Sequence, residues 1–263
     1  MKEVDMVSAQ ALFSLHNKTA IVTGGTSGIG RTVADYLASA GANIAIISRS
    51  KSDTRRVAKE IKSEYAVQTV GVDCDVAIEE EVDEMIQVVA EKLGTPGVLF
   101  NNAGINIWGG ALDLNFSDWK KVLDVNVNGI FLVARAFAKK LIEDEKPGSI
   151  INNASISGSI VNLPQFQTAY NTSKAAVIHL TKVLAVEWIQ QKIRVNTISP
   201  GYVWTEMNHQ IPEEIRNVWV ESTPIGRFAQ PDEIAGAVIY LASNASSYTS
   251  GAEILIDGGF TCL

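Results

Sequence analysis

The chain has 263 residues, and its 22 basic and 29 acidic side chains leave a net charge of −7. That balance argues against a general nucleic-acid or anionic-membrane binder, and no apolar run reaches the roughly 20 residues a membrane span needs. Two cysteines, Cys74 and Cys262, make neither a disulfide framework nor a zinc site. Met1–Gln10 carries Glu3 and Asp5 and lacks the apolar stretch of a secretory signal. The expectation is a cytoplasmic protein that binds no metal and is large enough for a sizeable core; its mean hydropathy is +0.11.

In chain order, Lys18–Thr23 reads as a strand and Gly28 to Ala40 as a helix closed by Gly41. Asn43–Ser48 is a second strand, followed by a charged helix from Ser52 to Tyr65. Gln68–Val72 and the helix Ile78–Leu93 come next, and Val98–Asn101, Ser149–Asn153 and Arg194–Ser199 continue the strands. Long helices are predicted over Asp118–Lys140 and Ala169–Gln191, another starts at Pro231, and Glu253–Ile256 closes the sheet. The early strands are almost continuously apolar, as parallel strands covered on both faces must be. The alternation predicts an α/β fold: a doubly wound parallel sheet of about seven strands with helices on both faces. No linker divides the chain, so residues 1–16 read as an N-terminal extension and 17–263 as one catalytic domain. The longest irregular stretch, Gly201 to Phe228, reads as a substrate lid over about 202–228.

The first strand runs into Thr23-Gly24-Gly25-Thr26-Ser27-Gly28-Ile29-Gly30. Glycines at a strand-to-helix turn let the backbone approach a pyrophosphate, which then rests on a helix N-terminus. Further along stand Asn101-Asn102-Ala103-Gly104, a Tyr170-x-x-x-Lys174 spacing and Pro200-Gly201. In this order and spacing, from about Asn17 to Gly259, the motifs resemble the short-chain dehydrogenase/reductase family. The resemblance implies a single-domain Rossmann fold and hydride exchange between a nicotinamide cofactor and a carbonyl.

Gly24, Thr26, Ser27, Gly28, Ile29 and Gly30 match the family's pyrophosphate turn. Relatives that use NAD end the second strand in an acidic residue; here Ser48 and Arg49 stand there, and a guanidinium pairs with a 2′-phosphate. The cofactor is therefore expected to be NADP(H). Lys51, Arg55 and Arg56 follow, either as a solvated helix face or as further phosphate contacts. By resemblance, Asp75 meets the adenine's exocyclic amine and Val76 flanks its ring, Asn102, Ala103 and Gly104 pass beneath the adenosine ribose, and after the cofactor-binding Pro200-Gly201 the Val203 backbone and Thr205 hydroxyl hold the carboxamide.

Residues i and i+4 share a helix face, so the Lys174 ammonium can lie beside the Tyr170 phenol and draw its pKa down toward neutrality. By resemblance, Tyr170 is the acid/base, Lys174 also holds the nicotinamide ribose, and Asn126 positions a water in a proton relay. A serine should polarise the carbonyl. Ser157, thirteen residues before Tyr170, fits one family spacing; Ser155, three before Gly158, fits the other and is preferred. Asn128 is expected only to pack, His16 and His179 to be surface or packing residues, and His209 to sit in the lid within reach of substrate.

Ser155 to Tyr170 and the ending Asp257–Thr261 resemble the branch holding mannitol 2-dehydrogenases, sorbose reductases and L-xylulose reductases. Asn106, Ser157, Asn162, Gln165 and Gln167 could bond sugar hydroxyls, while Trp108, Phe166 and Trp204 would supply apolar wall. The leading expectation is an NADPH-dependent ketose or ketone reductase, reversibly a polyol dehydrogenase. Reduction of a 3-oxoacyl thioester or secondary-metabolite ketone is the alternative, and a non-catalytic NADP-binding protein a remote one. The resemblance also implies a small-molecule carbonyl or alcohol as substrate and a homotetramer or dimer paired through the two long helices.

Overall fold

Seven parallel strands lie in the order β3-β2-β1-β4-β5-β6-β7 in the computed structural model, which describes residues 8–206 and 211–263. They are β1 Thr19–Thr23, β2 Asn43–Ser48, β3 Thr69–Asp73, β4 Val98–Asn101, β5 Gly148–Asn153, β6 Ile193–Pro200 and β7 Glu253–Ile256. The helices in chain order are α1 Ala9–Phe13, α2 Gly28–Ser39, α3 Lys51–Tyr65, α4 Glu79–Leu93, α5 Phe116–Leu123 and α6 Ile130–Glu143. They continue with α7 Thr168–Trp188, α8 Glu213–Glu221 and α9 Asp232–Ala242.

The apolar runs explain the layers. In β2, Ile44 and Ile46 join Val33, Leu37 and Phe100 in a core under α2 and α9, while Ala45 and Ile47 join Met85, Leu99 and Phe137 on the opposite face. A period of two sends alternate residues to opposite faces, so a strand covered on both sides must be apolar throughout. Strand order reverses between β1 and β4. The loops leaving those two strands diverge, and a crevice opens at their carboxyl ends.

Two expectations need correction. The helix read over Asp118–Lys140 is α5 and α6 joined by a π-helical turn, Asp124–Gly129. A Cβ on Gly129 would lie 2.8 Å from Val76 Cγ2, so the chain passes β3's exit loop only as glycine. Before β1, Leu15 is fully buried and its N–H donates to Ala40 O at 2.9 Å. The stretch Gly201–Phe228, read as irregular, contains α8.

Candidate active site

The carboxyl ends of the strands enclose a cleft of about 580 Å³. At one end lies the glycine turn between β1 and α2. Gly24 and Gly28 have φ +61° and +53°, and a Cβ on Gly30 would fall 2.2 Å from Gly24 O. Only glycine fits there. The turn is tied to β4 by Asn102, whose Nδ2 donates to Thr23 O at 3.0 Å and Gly24 O at 3.2 Å. Ser27 caps α2 without a side-chain hydrogen bond, leaving the helix's first N–H groups the kind of cradle an anion occupies.

Gly24, Thr26 to Gly30, Asn102, Ala103, Gly104, Pro200, Gly201, Val203 and Thr205 all line the cleft. Ser48, Arg49, Asp75 and Val76 do not; they stand where β2 and β3 end beside it. Arg49 is exposed and makes no ion pair among the described residues, whereas Lys51 pairs with Asp73 and Arg56 with Asp53 and Glu60. Asp75 Oδ1 accepts from Ala77 N at 3.0 Å, and Val76 is buried against Gly129.

In mid-cleft, α7 carries Tyr170 and Lys174 one turn apart. Lys174 is 3% exposed; its Nζ donates to Asn153 O at 2.7 Å and lies 5.4 Å from the Tyr170 ring centroid. Burial lowers its pKa to about 8. Burial also pushes the Tyr170 phenol above its ordinary value, and a hydrogen bond with Ser155 opposes that rise. The expected lowering by the lysine is thus reversed in sign. A lysine with a pKa of about 8 has already lost its proton at the higher pH where this phenol ionises, so it does not oppose the desolvation.

Ser155 Oγ accepts from Ser157 N and donates to Ser157 Oγ, both at 3.1 Å. Ser155 is the serine that hydrogen-bonds the phenol, and both serines line the cleft. Asn126, fully buried in the π-helical turn, uses both amide donors, on Ile105 O at 2.9 Å and Ser173 Oγ at 3.0 Å, and its oxygen accepts from Ile105 N at 2.8 Å. Asn128 Nδ2 bonds Asp124 Oδ1 on an exposed face.

The third part of the cleft is formed by Tyr202, α8 and the loop that carries Asn162 and Gln165. Trp219 of α8 stacks on Tyr202 at 4.4 Å with 6° between planes, and its Nε1 donates to Gln165 Oε1 at 3.0 Å. Asn162 Nδ2 donates to Tyr202 Oη at 3.1 Å, and Asn106 Nδ2 to Gln167 Oε1 at 2.6 Å. The side-chain oxygens of Asn106, Asn153 and Asn162 are buried and have no partner among the described residues, and all three residues line the cleft.

A family model described as Enoyl-(Acyl carrier protein) reductase matches residues 24–261. The chain is 41% identical to a sorbose reductase of Candida albicans, over 95% of this chain and 89% of that protein. It is 43% identical to a probable NADP-dependent mannitol dehydrogenase of Yarrowia lipolytica, over 95% of this chain and 90% of that protein. A short-chain type dehydrogenase/reductase from Mycobacterium marinum superposes with a TM-score of 0.94 at 40% identity, covering 97% of this chain and 100% of that one. The chain belongs to the short-chain dehydrogenase/reductase family. It is an oxidoreductase, and members act on small molecules.

Within this short-chain reductase, two residues read as pocket wall lie elsewhere. Trp204 does not line the cleft; it packs edge-on against Phe228 at 5.2 Å under Arg216. Phe166 is 59% exposed on the rim. The aromatic wall is instead Trp219, Tyr202 and Trp108. Trp219 was legible in principle: Pro212 followed by Glu213 and Glu214 is a helix start, and Ile215 with Trp219 then shares a face. His209 lies outside the described residues. Among the described residues no cluster of three His, Cys, Asp or Glu could hold a metal, and no helix is long and apolar enough to cross a membrane.

Proposed function

We propose that the chain is an NADP(H)-dependent reductase of a ketose or related ketone, running in reverse as a polyol dehydrogenase. The observation that carries the substrate class is the pair of buried oxygens Asn106 Oδ1 and Asn162 Oδ1, without a partner among the described residues, in the wall of the cleft that holds Tyr170. A buried acceptor without a donor is costly, and a substrate rich in hydroxyls supplies donors where an acyl chain supplies none. The similarity to a sorbose reductase and to a mannitol dehydrogenase points the same way.

The glycine turn, the open N-terminus of α2 and Arg49, exposed and without an ion pair among the described residues, fit a dinucleotide bearing a 2′-phosphate, and the relative named NADP-dependent agrees. Held by these residues, an NADPH would supply the hydride that the substrate carbonyl carbon accepts. Tyr170 gives its phenolic proton to the oxygen that becomes the alcohol, and Ser155 donates a hydrogen bond to that oxygen. Lys174 holds the nicotinamide ribose. Asn126, with its side chain saturated, acts by fixing the π-helical turn through which a water reaches Lys174. Ser48 and Arg49 select the 2′-phosphate, Asp75 and Val76 bracket the adenine, and Pro200, Gly201, Val203 and Thr205 seat the carboxamide. Ser157, Asn162 and Gln165 shape the sugar pocket, within a catalytic domain spanning 17–263.

The test is NADPH consumption with D-fructose, L-sorbose, L-xylulose and D-ribulose beside an acetoacetyl thioester and an aryl ketone. Turnover of the ketoses alone is expected. Turnover confined to the thioester or aryl ketone overturns the substrate class and favours the alternative reading, a 3-oxoacyl or secondary-metabolite ketone reductase. We further propose a cytoplasmic homotetramer, built on the exposed apolar side chains Phe131 of α6 and Val183 and Val186 of α7. Light scattering in solution reports its mass.

A further inference from the structure

Successive residues at the end of β5 point to opposite faces. Asn152 Nδ2 donates to Thr181 Oγ1 of α7 at 2.9 Å, a contact inside the core. Asn153 turns into the cleft. Its Nδ2 donates to Asn102 Oδ1 at 2.8 Å, Asn102 Nδ2 continues to the carbonyls of Thr23 and Gly24, and Lys174 Nζ donates to Asn153's own carbonyl. One strand residue therefore ties the glycine turn to the lysine.

The orientation of the Asn153 amide follows from its neighbours. Asn102 spends its nitrogen on two carbonyls, so it can offer Asn153 only oxygen. Asn153 must meet it with nitrogen, which leaves Oδ1 of this cleft-lining residue without a donor among the described residues. The residue is 8% exposed, so bulk water does not satisfy that oxygen.

We propose that Asn153 is a cofactor-binding residue whose Oδ1 accepts a hydroxyl of the nicotinamide-side ribose. The ribose is singled out because Lys174, which the reading above places on it, is anchored to this same residue. The Asn153–Asn102 bond then sets the distance between that ribose and the pyrophosphate turn. The proposal rests on the NADP(H) reading and goes beyond it by naming a second contact to one half of the cofactor.

The experiment titrates the whole protein with NADP⁺ and, separately, with adenosine 2′,5′-bisphosphate, which carries only the adenosine half, following quenching of tryptophan fluorescence. The variants are Asn153→Val, suited to a strand, and the smaller Asn153→Ala, each checked by thermal melting. The Kd for NADP⁺ is expected to rise about five- to tenfold, the worth of one neutral hydrogen bond, with the bisphosphate Kd unchanged. Equal weakening of both ligands would reduce Asn153 to a prop for Asn102 and overturn the proposal, as would unchanged NADP⁺ binding in a folded variant. Failure of the unmutated protein to bind NADP⁺ would remove the cofactor reading and the proposal together.

Discussion

The two ends of the cleft are held by different means. The nucleotide end is backbone: glycines at φ +61° and +53°, a helix N-terminus, and Asn102 bonded to main-chain carbonyls. The α8 end is side chain: a stacked Tyr202–Trp219 pair and two side-chain hydrogen bonds joining positions 40 and 54 residues apart. A site made by backbone geometry demands particular residues at consecutive positions. A site made by side chains from distant segments does not. The first end sets what every cofactor must present, and the second can be repacked for a new substrate without touching the sheet.

Between the two ends stands the chemistry both serve, and removing it should have the largest effect. Tyr170→Phe deletes the phenolic proton and is expected to lower kcat about 10³- to 10⁴-fold, while leaving the Kd for NADP⁺ unchanged. A loss of binding in parallel with kcat would mean that Tyr170 props the cleft rather than donating a proton. Next comes Ser155→Ala, expected to cost about 10²- to 10³-fold in kcat. It also removes the one hydrogen bond that opposes the burial-raised phenol pKa. The pH profile of alcohol oxidation, which needs the phenolate, should therefore move to higher pH. Ser157→Ala should leave kcat within a few-fold, and the reverse ranking of the two serines would reassign the carbonyl contact.

The comparison itself can be broken by crossing one substitution from each end. Arg49→Ala should raise the Kd for NADPH about 10- to 100-fold, the worth of charge-assisted hydrogen bonds to a phosphate, with NADH and the ketose KM unaffected. Trp219→Ala should raise the ketose KM several-fold, with NADPH binding unaffected. If either variant moves both constants alike, the two ends are coupled and the division fails.

This division also explains how much the sequence discloses. Strand order, the glycine turn and the Tyr170–Lys174 spacing are local patterns with local physical causes, and they were legible. The α8 end was not. Trp204 reads as pocket wall because it follows Pro200-Gly201, yet the neighbouring Tyr202 takes that place by stacking on a side chain 17 positions further along, at Trp219. The π-helical turn at Asp124–Gly129 was hidden for the same reason, since its glycine answers to Val76, on a loop remote in sequence. Burial likewise reversed the expected direction of the Tyr170 shift, because i, i+4 spacing shows a neighbour but not its desolvation.

The smallest expected effect is on stability, and Lys174 carries it. Its folded pKa of about 8 lies below the ordinary 10.5, so burial penalises the ammonium. Between those two values the unfolded chain binds more protons than the folded one, and stability therefore rises with pH across that window. Below pH 8 the penalty is present in full, ~3 kcal/mol by the 1.36 kcal/mol carried by each pKa unit. Lys174→Met keeps the stem and discards the charge, but strands the Asn153 carbonyl that Nζ now satisfies at 2.7 Å, which takes back roughly 1 kcal/mol or more. The net expectation at pH 7 is an inactive protein that melts a few degrees higher. The difference in Tm from the unmutated protein should shrink as pH climbs from 8 toward 10.5. A difference that stays constant with pH would mean that Lys174 is held for its packing rather than against its charge.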